Sequence, residues 1–148
     1  MMDYLIIIVT GMVGATLTFY VSAQLKQGRV RASALLSLLV SLFFYCFPEV
    51  LNDFLTKSIP LVFIGTSFIG MVTSSAKTSY VRLAVAGGLF SIVYLNRSQF
   101  FDGYGGALGA LAFIALLTTL TFSELLLRKT KFLAGVAMLK KFFSKTNP

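Results

Sequence analysis

Apolar residues in this chain run in long blocks, and polar residues collect in the short gaps between them. The blocks cover about Tyr4 to Gln24, Ala32 to Pro48, Pro60 to Ala76, Tyr80 to Leu95 and Gly103 to Leu127. A helix crossing the hydrocarbon core of a bilayer needs about 20 apolar residues, with a range of roughly 17–25. The first and fifth blocks meet that length comfortably, and the middle three lie at its short end. All five are continuous rather than alternating. Their β-branched and aromatic residues therefore predict helices, because the strands of a membrane barrel alternate in segments of about ten residues.

The gaps sort by charge. The first holds Lys26, Arg29 and Arg31, and the third holds Lys77 and Arg82. Beyond the fifth block come Arg128, Lys129, Lys131, Lys140, Lys141 and Lys145. The second gap holds Glu49, Asp53 and Lys57, and the fourth holds Arg97 and Asp102. Five crossings put all Lys and Arg residues except Lys57 and Arg97 on one side. The positive-inside rule makes that side cytoplasmic and leaves the N-terminus outside, in the cell (inner) membrane. Folding the third and fourth blocks into one re-entrant hairpin would instead sink Lys77 and Arg82 toward mid-bilayer, at roughly 2.5–3.5 kcal/mol each. The leading Met1-Met2-Asp3 carries an acid where a signal peptide carries bases, so the first block is expected to be retained.

Two amphipathic stretches flank these blocks. Glu49 to Ser58 puts Val50, Leu51, Phe54 and Leu55 on one helical face, which predicts a short interfacial helix between Pro48 and Pro60. The tail from about Thr130 puts Phe132, Val136, Leu139 and Phe143 on one face and Lys141 and Lys145 opposite. This predicts a basic helix lying on the cytoplasmic leaflet. The expected organisation is an all-α integral membrane protein, with a five-helix transmembrane domain over residues 1–128 and a cytoplasmic tail over 129–148. A constant register shift pairs Gly14 with Gly65, Val21 with Val72, Lys26 with Lys77 and Val30-Arg31 with Val81-Arg82. These matches fit two parallel helical hairpins followed by a fifth helix. Biased composition together with the positive-inside rule would also produce them.

Composition agrees with this reading and limits the chemistry. Of the 148 residues, 57% are hydrophobic and only 12% charged, whereas a soluble domain carries about 25% charged residues. There is no His and a single Cys, Cys46, so an internal disulfide and zinc, haem or iron–sulfur spacings are excluded. No nucleophile–base pair or paired carboxylates occur, and no catalytic residue, metal or cofactor is expected. The net charge of +8 sits in short gaps and the tail. It points to the bilayer and its anionic headgroups as partner, not to nucleic acid.

Two glycine-interrupted segments stand out. In the third block Gly65 and Gly70 flank Thr66 and Ser67, and more hydroxyls follow. At the start of the fifth, Gly103, Gly105, Gly106 and Gly109 interrupt the apolar run, with Gly105 and Gly109 spaced as GxxxG. Such ridges let helices approach closely, and hydroxyls in a membrane helix commonly bond back to its own carbonyls. Paired interruptions also point to transporter sites, where unwound backbone exposes carbonyls. Gly103-Tyr104-Gly105 lacks the Thr-Val pair that precedes it in a potassium-channel filter. On this reading Gly65, Thr66, Ser67, Gly103, Gly105, Gly106 and Gly109 form a substrate-binding path, lengthened by Thr10, Thr16, Thr18, Thr118, Thr119 and Thr121. No ionisable residue sits mid-span, which argues against proton coupling.

Two functions follow as expectations. The first is a small homo-oligomeric channel or carrier for a solute or ion. The second is a non-catalytic assembly, anchoring or regulatory subunit that packs against partner helices.

Overall fold

The computed structural model describes residues 2–24, 28–72, 79–96 and 105–146, and within the last segment side-chain surroundings for residues 106–126. The described residues form five α-helices: α1 Met2–Gln24, α2 Arg29–Cys46, α3 Asp53–Gly70, α4 Tyr80–Leu95 and α5 Gly105–Thr146. A 3-10 turn, Pro48–Val50, leads from α2 toward α3. Gly103, Lys26, Lys77, Arg97 and Asp102 lie outside the described residues.

Successive helices run in opposite directions. Tyr4 meets Phe54 with ring centroids 6.4 Å apart, and Gly14 faces Phe63 and Thr66, so α1 and α3 are parallel. Phe19 meets Tyr80 edge-on at 5.4 Å, while Gly11 meets Gly87 and Ser91, so α1 and α4 are antiparallel. Arg82 faces Glu124, which makes α5 antiparallel to α4. Acidic Asp3, Glu49 and Asp53 therefore gather at one end of the bundle and Arg29, Arg31 and Arg82 at the other.

The centre is the trio α1, α3 and α4. α2 lies against α3 and α1, and α5 against α4 and α3. Buried positions in the trio mix small residues, Ala15 and Ala86 among them, with Ile7, Leu55, Ile69, Leu83 and Phe90. α2 buries only Ala32 and Ser33. Its leucines turn outward, Leu38 being 63% exposed, as is Phe122 on α5. An apolar exterior on this scale needs lipid or protein cover.

By length and apolarity three helices suffice to cross a membrane: Met2–Gln24, Arg29–Cys46 and the Gly106–Leu126 stretch of α5. α4 is apolar but has only 16 residues, about 24 Å of helix.

The region before Pro60 differs from expectation. No separate interfacial helix forms: α3 starts at Asp53, with Asn52 preceding it and making no side-chain capping bond, and passes through Pro60 without a break. Burial explains the merger. Leu55 is 2% and Ile59 6% exposed, while Phe54, expected on the same apolar face, is 49% exposed. The first turns of α3 thus pack on protein instead of lying flat on lipid. An interior proline removes one helix hydrogen bond, a loss that membrane helices tolerate when neighbours hold them.

α5 continues as one helix of 42 residues, about 63 Å long, through the point where a separate tail was expected to begin. The facial arrangement expected of Phe132, Val136, Leu139 and Phe143 lies outside the described side chains.

Candidate functional site

The α3 residues singled out by sequence come together in the middle of the bundle, and each is occupied by packing. Gly65 lies against the ring of Phe90, which a Cβ at this position would strike. Phe90 is fully buried and stacks on Tyr94 at 6.2 Å. Thr66 is also fully buried. Its Oγ1 donates to the Val62 carbonyl at 2.8 Å and fills the space that Gly14 leaves on α1.

Ser67 is the most connected hydroxyl. Its Oγ donates to the Ile64 carbonyl at 2.7 Å. Ser37 on α2 donates to it at 3.2 Å, and Ser33 Oγ lies 2.7 Å away. A serine hydroxyl has one proton and two acceptor sites. Either hydroxyl can donate in the Ser33–Ser67 pair, and with three partners around it the hydrogen-bonding positions of Ser67 Oγ are filled. Hydrogen bonds of this kind join helices inside a membrane, where no water competes for the groups. The three serines thus fasten α2, otherwise poorly buried, onto α3.

The α5 glycines behave differently. A Cβ at Gly106 or at Gly109 would meet nothing within 4 Å. Among the described residues no other element comes within 4 Å of a Cβ at either position, so the structure does not bring them to Gly65, Thr66 and Ser67. Gly105 opens α5, its surroundings lying outside the described side chains, as does the whole of Gly103.

The remaining hydroxyls scatter. Thr10 and Thr119 donate to the carbonyls of Ile6 and Ala115, each at 2.8 Å. Thr16, exposed on α1, donates to Met12 at 2.8 Å. Thr118 and Thr121 are exposed on α5. Thr18 alone among these is buried with no partner for Oγ1. It stands where Gly70 of α3 closes on α1: a Cβ at Gly70 would lie 2.6 Å from the Ala15 carbonyl oxygen and 2.7 Å from Thr18 Cβ.

Of the residues that make the closest approaches, sequence reasoning singled out Gly14, Thr18, Thr66 and Gly70 without pairing them across helices, and it passed over Gly11, Ala15, Gly87 and Ser91. Gly11 and Ala15 of α1 face Gly87 and Ser91 of α4, and a Cβ at Gly11 would sit 2.7 Å from the Gly87 carbonyl oxygen. Gly14 and Thr18 of α1 face Thr66 and Gly70 of α3. All four pairs have the small-xxx-small spacing that marks close helix contacts, so a search for that spacing, wider than GxxxG, finds them. The matched Gly14 and Gly65 of the hairpin alignment fall in unlike surroundings, Thr66 and Phe63 for one and Phe90 for the other.

One cavity lies away from these residues. It is a groove of about 520 Å³ between α4 and α5, walled by Val85, Leu89, Phe122 and Leu126, with Arg82 and Ser123 among its polar lining. Arg82, one of the lining residues, has its Nη1 3.6 Å from Oε1 of Glu124, which does not itself line the groove, the two side chains being 19% and 53% exposed. Glu124 also stands four residues before Arg128 along α5, whose side chain lies outside the described ones. The antiparallel packing of α4 on α5 gives Glu124 a partner on another helix. No protein-family model, no curated protein and no solved structure matches this chain. The functional reading therefore rests on the geometry itself.

Proposed function

We propose that this protein is a small, non-catalytic multi-pass membrane component that assembles with copies of itself or with other membrane subunits. The observation carrying this reading is the saturation of Ser67. The polar groups that would have to line a path through the chain are spent on fastening helices, and the glycines beside them admit neighbouring backbone and rings rather than a solute. A carrier keeps such groups available at the point where its helices are interrupted.

The membrane arrangement belongs to the same proposal. All five helices cross, with the first turns of α3 and the short α4 held in place by their packing on α1. The end bearing Arg29, Arg31 and Arg82 faces the cytoplasm, where basic residues are retained. Cys46 tests this directly. It is the only cysteine, it is exposed, and it closes α2 at the opposite end from Arg29. A membrane-impermeant maleimide should label it in intact cells. Labelling that needs permeabilised cells reverses the orientation.

A second reading, an oligomeric channel or carrier with its path between copies, has one observation in its favour. The open Gly106 and Gly109 share α5 with the exposed hydroxyls of Thr118 and Thr121. Native mass measurement of the full chain in mild detergent, paired with flux into liposomes, separates the two. A heteromer, or a homo-oligomer that passes no solute, supports the assembly role. A closed homo-oligomer whose ion or solute flux falls on Gly109→Leu substitution replaces it with the channel.

A further inference from the structure

We propose that the α4–α5 groove is a binding site for one anionic phospholipid, with its phosphate at Arg82 and an acyl chain along Val85, Leu89 and Phe122. The inference needs only the membrane location and stands whether the protein is a scaffold or a channel.

Shape comes first. A volume of about 520 Å³ falls within the roughly 300–1,000 Å³ of sites that hold small amphiphiles. The apolar wall extends from Arg82 to Leu89 along α4, about 10 Å of helix, away from the basic end and into the depth of the bundle. A headgroup placed at Arg82 would thus hang its tail where a lipid tail already lies. A water-soluble ligand would leave that wall unused.

Charge comes second. Arg82 shares its end of the bundle with Arg29 and Arg31, and the turns of α5 that follow the groove carry Arg128, Lys129 and Lys131. Against these stands one carboxylate, Glu124, more than half exposed and 3.6 Å from the guanidinium. The N-terminus of α4, where Arg82 sits in the first turn, has no side-chain cap, so the helix dipole also favours an anion there. Basic pockets between membrane helices on the cytoplasmic side hold anionic headgroups by this combination. Glu124 is then one of the groups that hold the Arg82 side chain, and the one that a phosphate displaces.

That last point makes the two partners of the ion pair respond in opposite ways. The full chain in mild detergent is titrated with dioleoyl phosphatidylglycerol and, separately, with dioleoyl phosphatidylcholine, and bound lipid is counted by native mass measurement. One phosphatidylglycerol should bind per chain in preference to phosphatidylcholine, and millimolar inorganic phosphate should not displace it. Arg82→Gln should weaken phosphatidylglycerol by about fivefold, and Glu124→Gln should tighten it. Val85→Trp should block the groove for either lipid. A Lys140, Lys141 and Lys145→Gln variant should keep the preference. Four results overturn the proposal: equal binding of the two lipids; loss of affinity in both Arg82→Gln and Glu124→Gln, as a purely structural pair would give; no effect of Val85→Trp; or a preference that disappears with the three tail lysines. Melting curves of each variant distinguish lost binding from lost fold.

Discussion

Gly11 and Ala15 stand four residues apart on α1, as Gly105 and Gly109 do on α5. The α1 pair is pressed onto the α4 backbone at Gly87, whereas Gly109 and its neighbour Gly106 have open space beside them. The spacing is the same and the circumstances are opposite. A small-residue ridge records that a helix could be approached closely, and says nothing about whether another helix of the same chain does so. In the trio α1, α3 and α4 the approach is made several times over, at Gly11 and Gly87, at Gly14 and Thr66, and at Gly70 and Ala15. α5 buries Leu108, Leu111, Ala112 and Ala115 against its neighbours instead, leaving Gly106 and Gly109 on another face.

Substitutions can break this contrast or sharpen it, with stability read from thermal or denaturant unfolding followed by circular dichroism in one detergent. The largest effect is expected from Gly87→Val. The added atoms would run into the Gly11 carbonyl and Ala15, backbone and methyl groups that cannot swing aside. A loss of about 3 kcal/mol is expected. A melting temperature close to that of the native chain would mean the helices do not touch there.

Ser67→Ala comes next. It removes the acceptor for Ser33 and Ser37 and loosens α2 on α3, at about 1.5 kcal/mol. Faster hydrogen exchange confined to α2 should accompany the loss, and an unchanged α2 would count against the serine fastening.

Thr18→Val should go the other way. The hydroxyl is buried and has no partner among the described residues, so an isosteric methyl relieves it and raises stability by about 1 kcal/mol. Destabilisation instead would show that Thr18 Oγ1 has a partner in solution, such as a water between α1 and α3.

The smallest change is expected for Gly106→Ala and Gly109→Ala. With nothing beside either position, each should alter stability by no more than about 0.5 kcal/mol, in the favourable direction that helix propensity gives. A marked loss for either would place a second copy on α5. This outcome would connect directly to the oligomer measurement.

Hydropathy and charge were enough to find the helices. The blocks predicted for α1, α2 and α4 match the observed helices within a few residues, because transfer of apolar side chains out of water is a local property that each residue carries with it. The antiparallel order followed from the charges of the gaps for the same reason. The glycines at Gly65 and the hydroxyls at Thr66 and Ser67 were also visible, as a departure from the apolar background. What each does depends on what faces it. Ser67 is bonded by Ser33 and Ser37, residues thirty or more positions away, and Glu124 finds Arg82 on another helix. Whether Asp53 to Ile59 lay on lipid or joined α3 was decided by burial of Leu55 and Ile59, which only the assembled bundle provides. Patterns along the chain report what a segment would gain by leaving water. Which neighbour it leaves water for is a long-range choice, settled by the helices that dock on it.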